Sequence, residues 1–510
     1  MKRYINVLFV LLMSVSVFAQ DLGKVQEKFF PQPTDLKLNT PLAGKRFGYT
    51  SYKEMKRFLS QIEKNNPDLV SLETIGKTQK GRDIIMAKMG NGTSSEEKMR
   101  VLYFGRIHGD EPGGTEGLLH FIERMTSDDS LRCLLDRMDF YIVPMVNVDG
   151  GERMIRQTAN GIDLNRDQVR MDSPEAIALR SMINRVEPHV TIDFHEYQPL
   201  KSAYSLVSPD ILTVPWDVMF LTSGNPNVPS GVRHKIESLF LPQAKKNLAA
   251  NDFASHTYYT PKKTSHGVTM NMGGSSPRST SNSLSLSNTY SILIEGRGIG
   301  LSRSTIGRRL KSVYVLAESF ANTCYQHKDD LLKTLELTKL DRKPVAIDFS
   351  SAKKEEYPMQ FINQLKNRID IVPLRVSDAM HATVNKAREL PERYLILADQ
   401  TNAVKALDNM GIKYTLMSEP EKISVEAFRI KSVENESQSF KTFTPVSVKT
   451  QIEKKDKTFP AGTIIVDTRQ DKVRLLSLML EPESSNGFVN YRILDAKEGE
   501  ELPVYRETGK

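Results

Sequence analysis

Cysteine is nearly absent from this chain: Cys133 and Cys324 are the only two among 510 residues. Two thiols exclude a disulfide scaffold and a Cys-rich zinc module. They could bridge in an oxidising compartment or stay free, and both fall on expected helices. An excess of one charge is also missing. Seventy basic residues face 62 acidic ones, for a net charge of +8, and such a balance does not mark a nucleic-acid binder. Beyond the N-terminus no apolar stretch approaches the roughly 20 residues that span a bilayer, so no membrane span is expected in the mature chain. Hydrophobic residues at 39% and charged residues at 26% exclude wholesale disorder. The length is that of two or three domains at roughly 150 residues each.

What is present begins with an address. Lys2 and Arg3 precede an apolar run from Val7 to Met13, and Val17-Phe18-Ala19 then offers a site of the kind that signal peptidase accepts. The run is too short for a membrane anchor, and no cysteine lies near the cleavage point to carry a lipid. Residues 1–19 are therefore expected to be a signal peptide, and the protein an exported one, periplasmic or secreted. Cleavage removes two basic and no acidic residues, so the charge falls from +8 to +6.

Residues 20–46 form a lead-in without clear periodicity. Met55, Phe58, Leu59 and Ile62 recur at helical spacing. Strand-like runs follow at 69–75, 83–89, 99–105, 139–147, 190–195 and 290–295. Helices are expected between them at 114–125 and 174–186, and a long one at 303–337. Strands alternating with helices indicate an α/β domain with a largely parallel or mixed sheet. This first domain is taken as 47–338. After a linker at 338–346, short β-rich runs at 369–376, 394–398, 413–417 and 423–433, with helices near 402–410 and 473–480, suggest a smaller accessory α+β domain over 347–510.

Polar residues gather where the strands end, which is where an open α/β sheet binds ligands. Strand 99–105 leads into Ile107-His108-Gly109-Asp110-Glu111-Pro112. Strand 139–147 leads into a segment carrying Arg156 and Asp163-Leu164-Asn165-Arg166. The last two strands end at His195 and Glu295. Taken together, these segments resemble the carboxypeptidase A-like zinc metallocarboxypeptidase family from about Gly48 to Leu337. The resemblance implies a mixed eight-stranded sheet with helices on both faces. It makes His108, Glu111 and His195 the zinc ligands and Glu295 the catalytic glutamate. Arg156 would polarise the scissile carbonyl, Asn165 and Arg166 would grip the terminal carboxylate of the substrate, and Asp163 would orient the first histidine.

The chemistry agrees with those residue types. A catalytic zinc takes three protein ligands and keeps one position for water, and His-His-Glu is one such set. Zinc acidifies that water and polarises the carbonyl, a glutamate relays the proton, and an arginine neutralises the developing oxyanion. An arginine fork also suits a carboxylate. Plainer readings compete: a lone histidine at a strand end is commonly structural, and Glu295 could pair with Arg297. The other histidines (His120, His189, His234, His256, His266, His327 and His381) receive no role.

Two departures from the family stand out. Its digestive members carry a mobile tyrosine about two dozen residues before the catalytic glutamate, but here Gly273–Asn282 is a Ser- and Gly-rich run without one, and Tyr258 and Tyr259 lie further back. That run is expected to be an active-site loop, with Arg278 or Asn282 meeting substrate. Asp167 follows Arg166 where many relatives have asparagine. The expected function is zinc-dependent removal of a C-terminal residue from peptides. The alternatives are an amidase or deacylase acting on cell-wall peptides or N-acyl amino acids, and a non-catalytic peptide-binding protein.

Overall fold

The computed structural model describes residues 23–92, 97–265, 267–339, 341–437 and 439–507; the expected signal peptide at 1–19 lies outside them. Eleven strands precede the long helix: β1 (Val70–Lys77), β2 (Asp83–Met89), β3 (Met99–Gly105), β4 (Met138–Val143), β5 (Val190–Tyr197), β6 (Leu212–Thr213), β7 (Val218–Leu221), β8 (Ser255–Thr257), β9 (Tyr259–Thr264), β10 (Gly267–Met272) and β11 (Tyr290–Arg297). Eight of them form one mixed sheet in the order β1-β2-β4-β3-β5-β11-β7-β8. Its centre, β4-β3-β5-β11, is parallel; β2 runs antiparallel to β1 and β4, and β7 is antiparallel to β11 but parallel to β8.

Every residue of β5 and β11 is buried. Successive side chains on a strand point to opposite faces, so both faces of the sheet are covered there. This explains why the first halves of these strands read as largely apolar runs. Helices Gly113–Ser127 and Ile306–Thr338 pack closely on one another: a Cβ on Gly117 would lie 2.3 Å from Val313 Cγ1. The long helix departs from helical geometry at His327. Its start is clasped by the lead-in, where Gln32 donates to the Ser304 carbonyl at 2.6 Å and Arg308 to that of Pro31 at 3.0 Å.

The C-terminal part is β-rich and interleaved with the first. β12 (Val345–Asn363) and β13 (Arg368–Arg388) form a long hairpin in a second sheet, ordered β6-β12-β13-β10-β9. Three of those five strands thus belong to the segment before the long helix, and β13 runs parallel to β10. A third sheet, of six strands, contains β14 (Arg393–Ile396), β15 (Thr415–Leu416), β16 (Glu421–Asn435), β17 (Val446–Phe459), β18 (Ile464–Asp467) and β19 (Glu501–Glu507). Helices Thr401–Met410 and Val473–Leu480 accompany it. Both cysteines are free, Cys133 exposed and Cys324 buried. Among the described residues, no helix is long and apolar enough to cross a membrane.

Candidate metal centre and cleft

The loop after β3 is bent by its own sequence. Arg106 adopts a left-handed φ of 56°, unusual for a residue with a side chain. Its buried guanidinium holds the turn by donating to the carbonyls of Gly109 at 3.0 Å and Gly151 at 2.9 Å. Only glycine fits at position 109, because a Cβ there would lie 2.1 Å from the Gly150 carbonyl carbon. Asn147 ties the loop to the following segment, donating to the carbonyls of Ile107 and Arg156. The result is a tight turn that presents His108 and Glu111 to the same point.

His195 arrives at that point from β5. Its Nδ1 lies 3.0 Å from Nδ1 of His108 and 2.8 Å from Oε2 of Glu111, whose Oε1 lies 2.8 Å from His108 Nδ1. All three residues are buried, and their potential ligand atoms fall within 4.8 Å of one another. The outer nitrogens face carboxylates: Nε2 of His108 is 3.0 Å from Asp163 Oδ1, and Nε2 of His195 is 3.0 Å from Asp193 Oδ2. Asp163 hydrogen-bonds the His108 ring and Asp193 stands at ion-pair distance behind His195, an arrangement that leaves both Nδ1 atoms facing the centre. Two nitrogens and a carboxylate converging in a dry site fit a divalent zinc.

Charge in the site points the same way. Burial opposes protonation of His108 and His195, yet the neighbouring carboxylates outweigh it and raise both above the ordinary histidine range. Glu111 is also buried, which alone would favour its neutral form, but the two histidines hold its carboxyl well below the usual range. The pocket is therefore built around positive charge at its centre.

Beside it, Glu295 sits directly across from His195 in the β5–β11 register. Burial, reinforced by the negative charge of Glu111, pushes its carboxyl up to about 7. Arg297 does not serve as its partner; its guanidinium stacks 3.9 Å from the centroid of the Phe30 ring and donates to Thr213. Arg156 holds Asp163 Oδ2 through two nitrogens at 3.1 and 3.0 Å and reaches to 3.5 Å from Glu111. Asp163 thus braces His108 with one oxygen and Arg156 with the other, and its carboxyl is lowered despite its burial.

A cavity of about 550 Å³ opens over this group, lined by His108, Glu111, Arg156, Asn165, Arg166 and Glu295 among others. The structure thus brings His108, Glu111, His195, Arg156, Asp163, Asn165, Arg166 and Glu295 into one region. Asn165 accepts from the backbone and hydroxyl of Thr280 at 2.9 and 3.1 Å, which docks helix Thr280–Ser285 against Asn165 and Arg166. The Ser- and Gly-rich run forms the facing wall, with Gly273, Gly274, Ser275, Ser276, Arg278 and Asn282 on the cavity. Asp167 is turned away, accepting from Ser173 Oγ and from two backbone amides.

Sequence reasoning passed over three residues of the site. Asp193 lay hidden inside an apolar strand; the Asp-x-His spacing, which puts residues 193 and 195 on one face of β5, was the available signal. Tyr258 lines the cavity although it stands well outside the spacing expected of a tyrosine; burial and the nearby charge of Glu295 hold its hydroxyl far above the ordinary range. Lys201 lines the same cavity, and no sequence signal distinguished it.

Known proteins resemble this chain over much of its length. The family model described as zinc carboxypeptidase matches residues 55–306. Carboxypeptidase 2 of Trichophyton equinum is 25% identical over 473 residues, covering 90% of this chain and 87% of that protein. Carboxypeptidase E of Caenorhabditis elegans is 29% identical over 144 residues, 24% of this chain and 30% of that one. Among solved structures, the carboxypeptidase A of Helicoverpa armigera aligns at a TM-score of 0.44 with 16% identity, over 61% of this chain and 82% of that one.

Proposed function

The chain belongs to the zinc carboxypeptidase family, a family of metallocarboxypeptidase hydrolases, and on that premise we propose that it is an exported enzyme that removes the C-terminal residue from peptides. Export is inferred from the basic head and apolar run of residues 1–19. His108 and His195, through Nδ1, and Glu111 would hold the zinc, which when bound supplies Lewis acidity and makes a water acidic at neutral pH.

The protein groups do the rest. Arg166 and Asn165 bind the substrate's free carboxylate, so that only a chain end is accepted; a bidentate fork gives this contact its geometry. Arg156, already oriented by Asp163, faces the scissile carbonyl and stabilises negative charge growing on its oxygen. Glu295 takes the proton from the attacking water and passes it to the departing amine. An affinity near 7, as burial gives it here, suits a group that must both accept and return a proton. The observation that carries the proposal is the meeting of His108, Glu111 and His195 at one point under a cleft that also holds Glu295 and the Asn165-Arg166 pair.

The test compares a peptide with its C-terminally amidated twin, with the released residue read by mass. We expect a single C-terminal residue to be freed from the first and little from the second. Arg166→Ala should raise KM for the free-ended peptide by at least tenfold while hardly changing the slow cleavage of the amide. Equal losses on both would overturn the assignment of Arg166 as the clamp.

A further inference from the structure

Arg278 is a second guanidinium beside the clamp, and nothing in the reaction above uses it. It lines the active-site cavity together with Arg166. The same two arginines also line a neighbouring cavity of about 370 Å³, whose opposite wall is Phe440, Phe443 and Tyr491 of the C-terminal part. The two arginines therefore stand between the two spaces. Burial works against the charge of Arg166, Asp163 nearby supports it, and Arg278 opposes it.

The acids nearby are spoken for. Asp163 is committed to His108 and Arg156, Asp167 to Ser173 and the Asp172 amide, and Asp172 to Arg170 at 3.0 Å. Among the described residues, no carboxylate stands at ion-pair distance from either Arg166 or Arg278. Two half-buried guanidiniums on one cavity, neither in direct contact with a carboxylate, are well matched by a ligand that brings two carboxylates of its own.

We propose that Arg166 and Arg278 together read a dicarboxylate end, the α-carboxylate and the side-chain carboxylate of a C-terminal glutamate or aspartate, so that peptides ending in an acidic residue are the preferred substrates. This rests on the carboxypeptidase reading and narrows it to a substrate class. It also gives the C-terminal part a task. The ring of Phe440 lies 5.4 Å from the Arg278 guanidinium carbon, and Arg170 stacks likewise on Phe443 at 4.6 Å. The loop carrying Arg278 is fixed from the same side, by β10–β13 pairing and by a hydrogen bond from Ser276 to Asn486. Phe440 is thus a positioning residue for Arg278.

The experiment measures kcat/KM on acylated peptides identical except for a final Glu, Gln or Leu. A charge-assisted contact predicts that Glu exceeds Gln by about 10- to 100-fold. Arg278→Ala should bring that ratio close to one, and Arg278→Gln, which keeps the volume, should do the same. Phe440→Leu should raise KM for the Glu-ended peptide while leaving its kcat in place, a split that mere destabilisation would not produce. Equal rates on Glu- and Gln-ended peptides in the wild type, or equal losses on all three in Arg278→Ala, would overturn the proposal. Should no peptide be cleaved at all, the peptidase reading itself fails. Calorimetric titration of N-acetylglutamate and N-acetylglutamine into the Glu295→Gln protein then decides the present point: a glutamate preference that disappears on adding Arg278→Ala supports it, and indifference refutes it.

Discussion

The far side of each imidazole governs what the near side can hold. His108 leans on Asp163 and His195 on Asp193, and carboxylates so placed typically account for 10- to 100-fold in metal affinity. Asp193→Asn, nearly isosteric, should therefore weaken zinc binding by about that factor in a chelator competition; unchanged affinity would remove Asp193 from the centre. Glu295→Gln should leave zinc content at one ion per chain and cut kcat by roughly 10²- to 10⁴-fold, so an unimpaired rate would deny it the proton relay. Part of this was legible beforehand. His108 and Glu111 share a short loop after a strand, and Asn165 and Arg166 follow an aspartate in the family's pattern. Asp193 was not legible, because in the run Val-Thr-Ile-Asp-Phe it reads as an interruption of core rather than as a partner for what comes two residues later. Tyr258 escaped because its place in the cleft depends on how β8 and β9 fold back, not on its distance from Glu295 along the chain.

At the scale of elements, the loop between β3 and helix Gly113–Ser127 is the most constrained piece of the molecule. Gly109→Ala would press a methyl group into the backbone of Gly150. Overpacking of this kind usually costs about 1–3 kcal/mol, and here the displaced segment carries His108 and Glu111, the proposed ligands. Urea unfolding in excess chelator should show the stability loss, and zinc titration a separate fall in affinity; a variant equal to the wild type in both would contradict the tight turn. The central strands were readable because burial on both faces makes them largely apolar. Of the two long hairpins only one arm each was readable, the run 369–376 within β13 and 423–433 within β16. β12 carries Lys-Lys-Glu-Glu in its middle, and β17 alternates only from Val446 to Ile452 before Glu-Lys-Lys-Asp-Lys breaks the period of two. Pro358 and Pro373 look like strand breakers, yet they face each other across β12 and β13, where a residue unable to donate meets another of its kind.

For the molecule as a whole, Lys472 reports on how the two parts meet. Its ammonium is buried against Asn184 of the first part and the carbonyls of Met410 and Gly411, at 2.8, 2.9 and 3.3 Å. Burial, with the nearby charge of Arg180, lowers its proton affinity from 10.5 to about 8. Between those values the unfolded chain binds more protons than the folded one, so folding stability should rise with pH across that window, by roughly 3 kcal/mol at most. Denaturant midpoints taken from pH 8 to 10 should show the rise, and Lys472→Met should flatten it; parallel curves would mean that the lysine is not buried as described. The β10–β13 ladder has a consequence of its own for ancestry and for engineering. A gene shortened at the end of helix Ile306–Thr338 would encode an intact eight-stranded sheet, but it would strip one wall of the cleft of its neighbouring strand and leave bare amides open to self-association. Any scheme that grafts, swaps or trims the downstream half has to carry residues 345–388 along with the catalytic half.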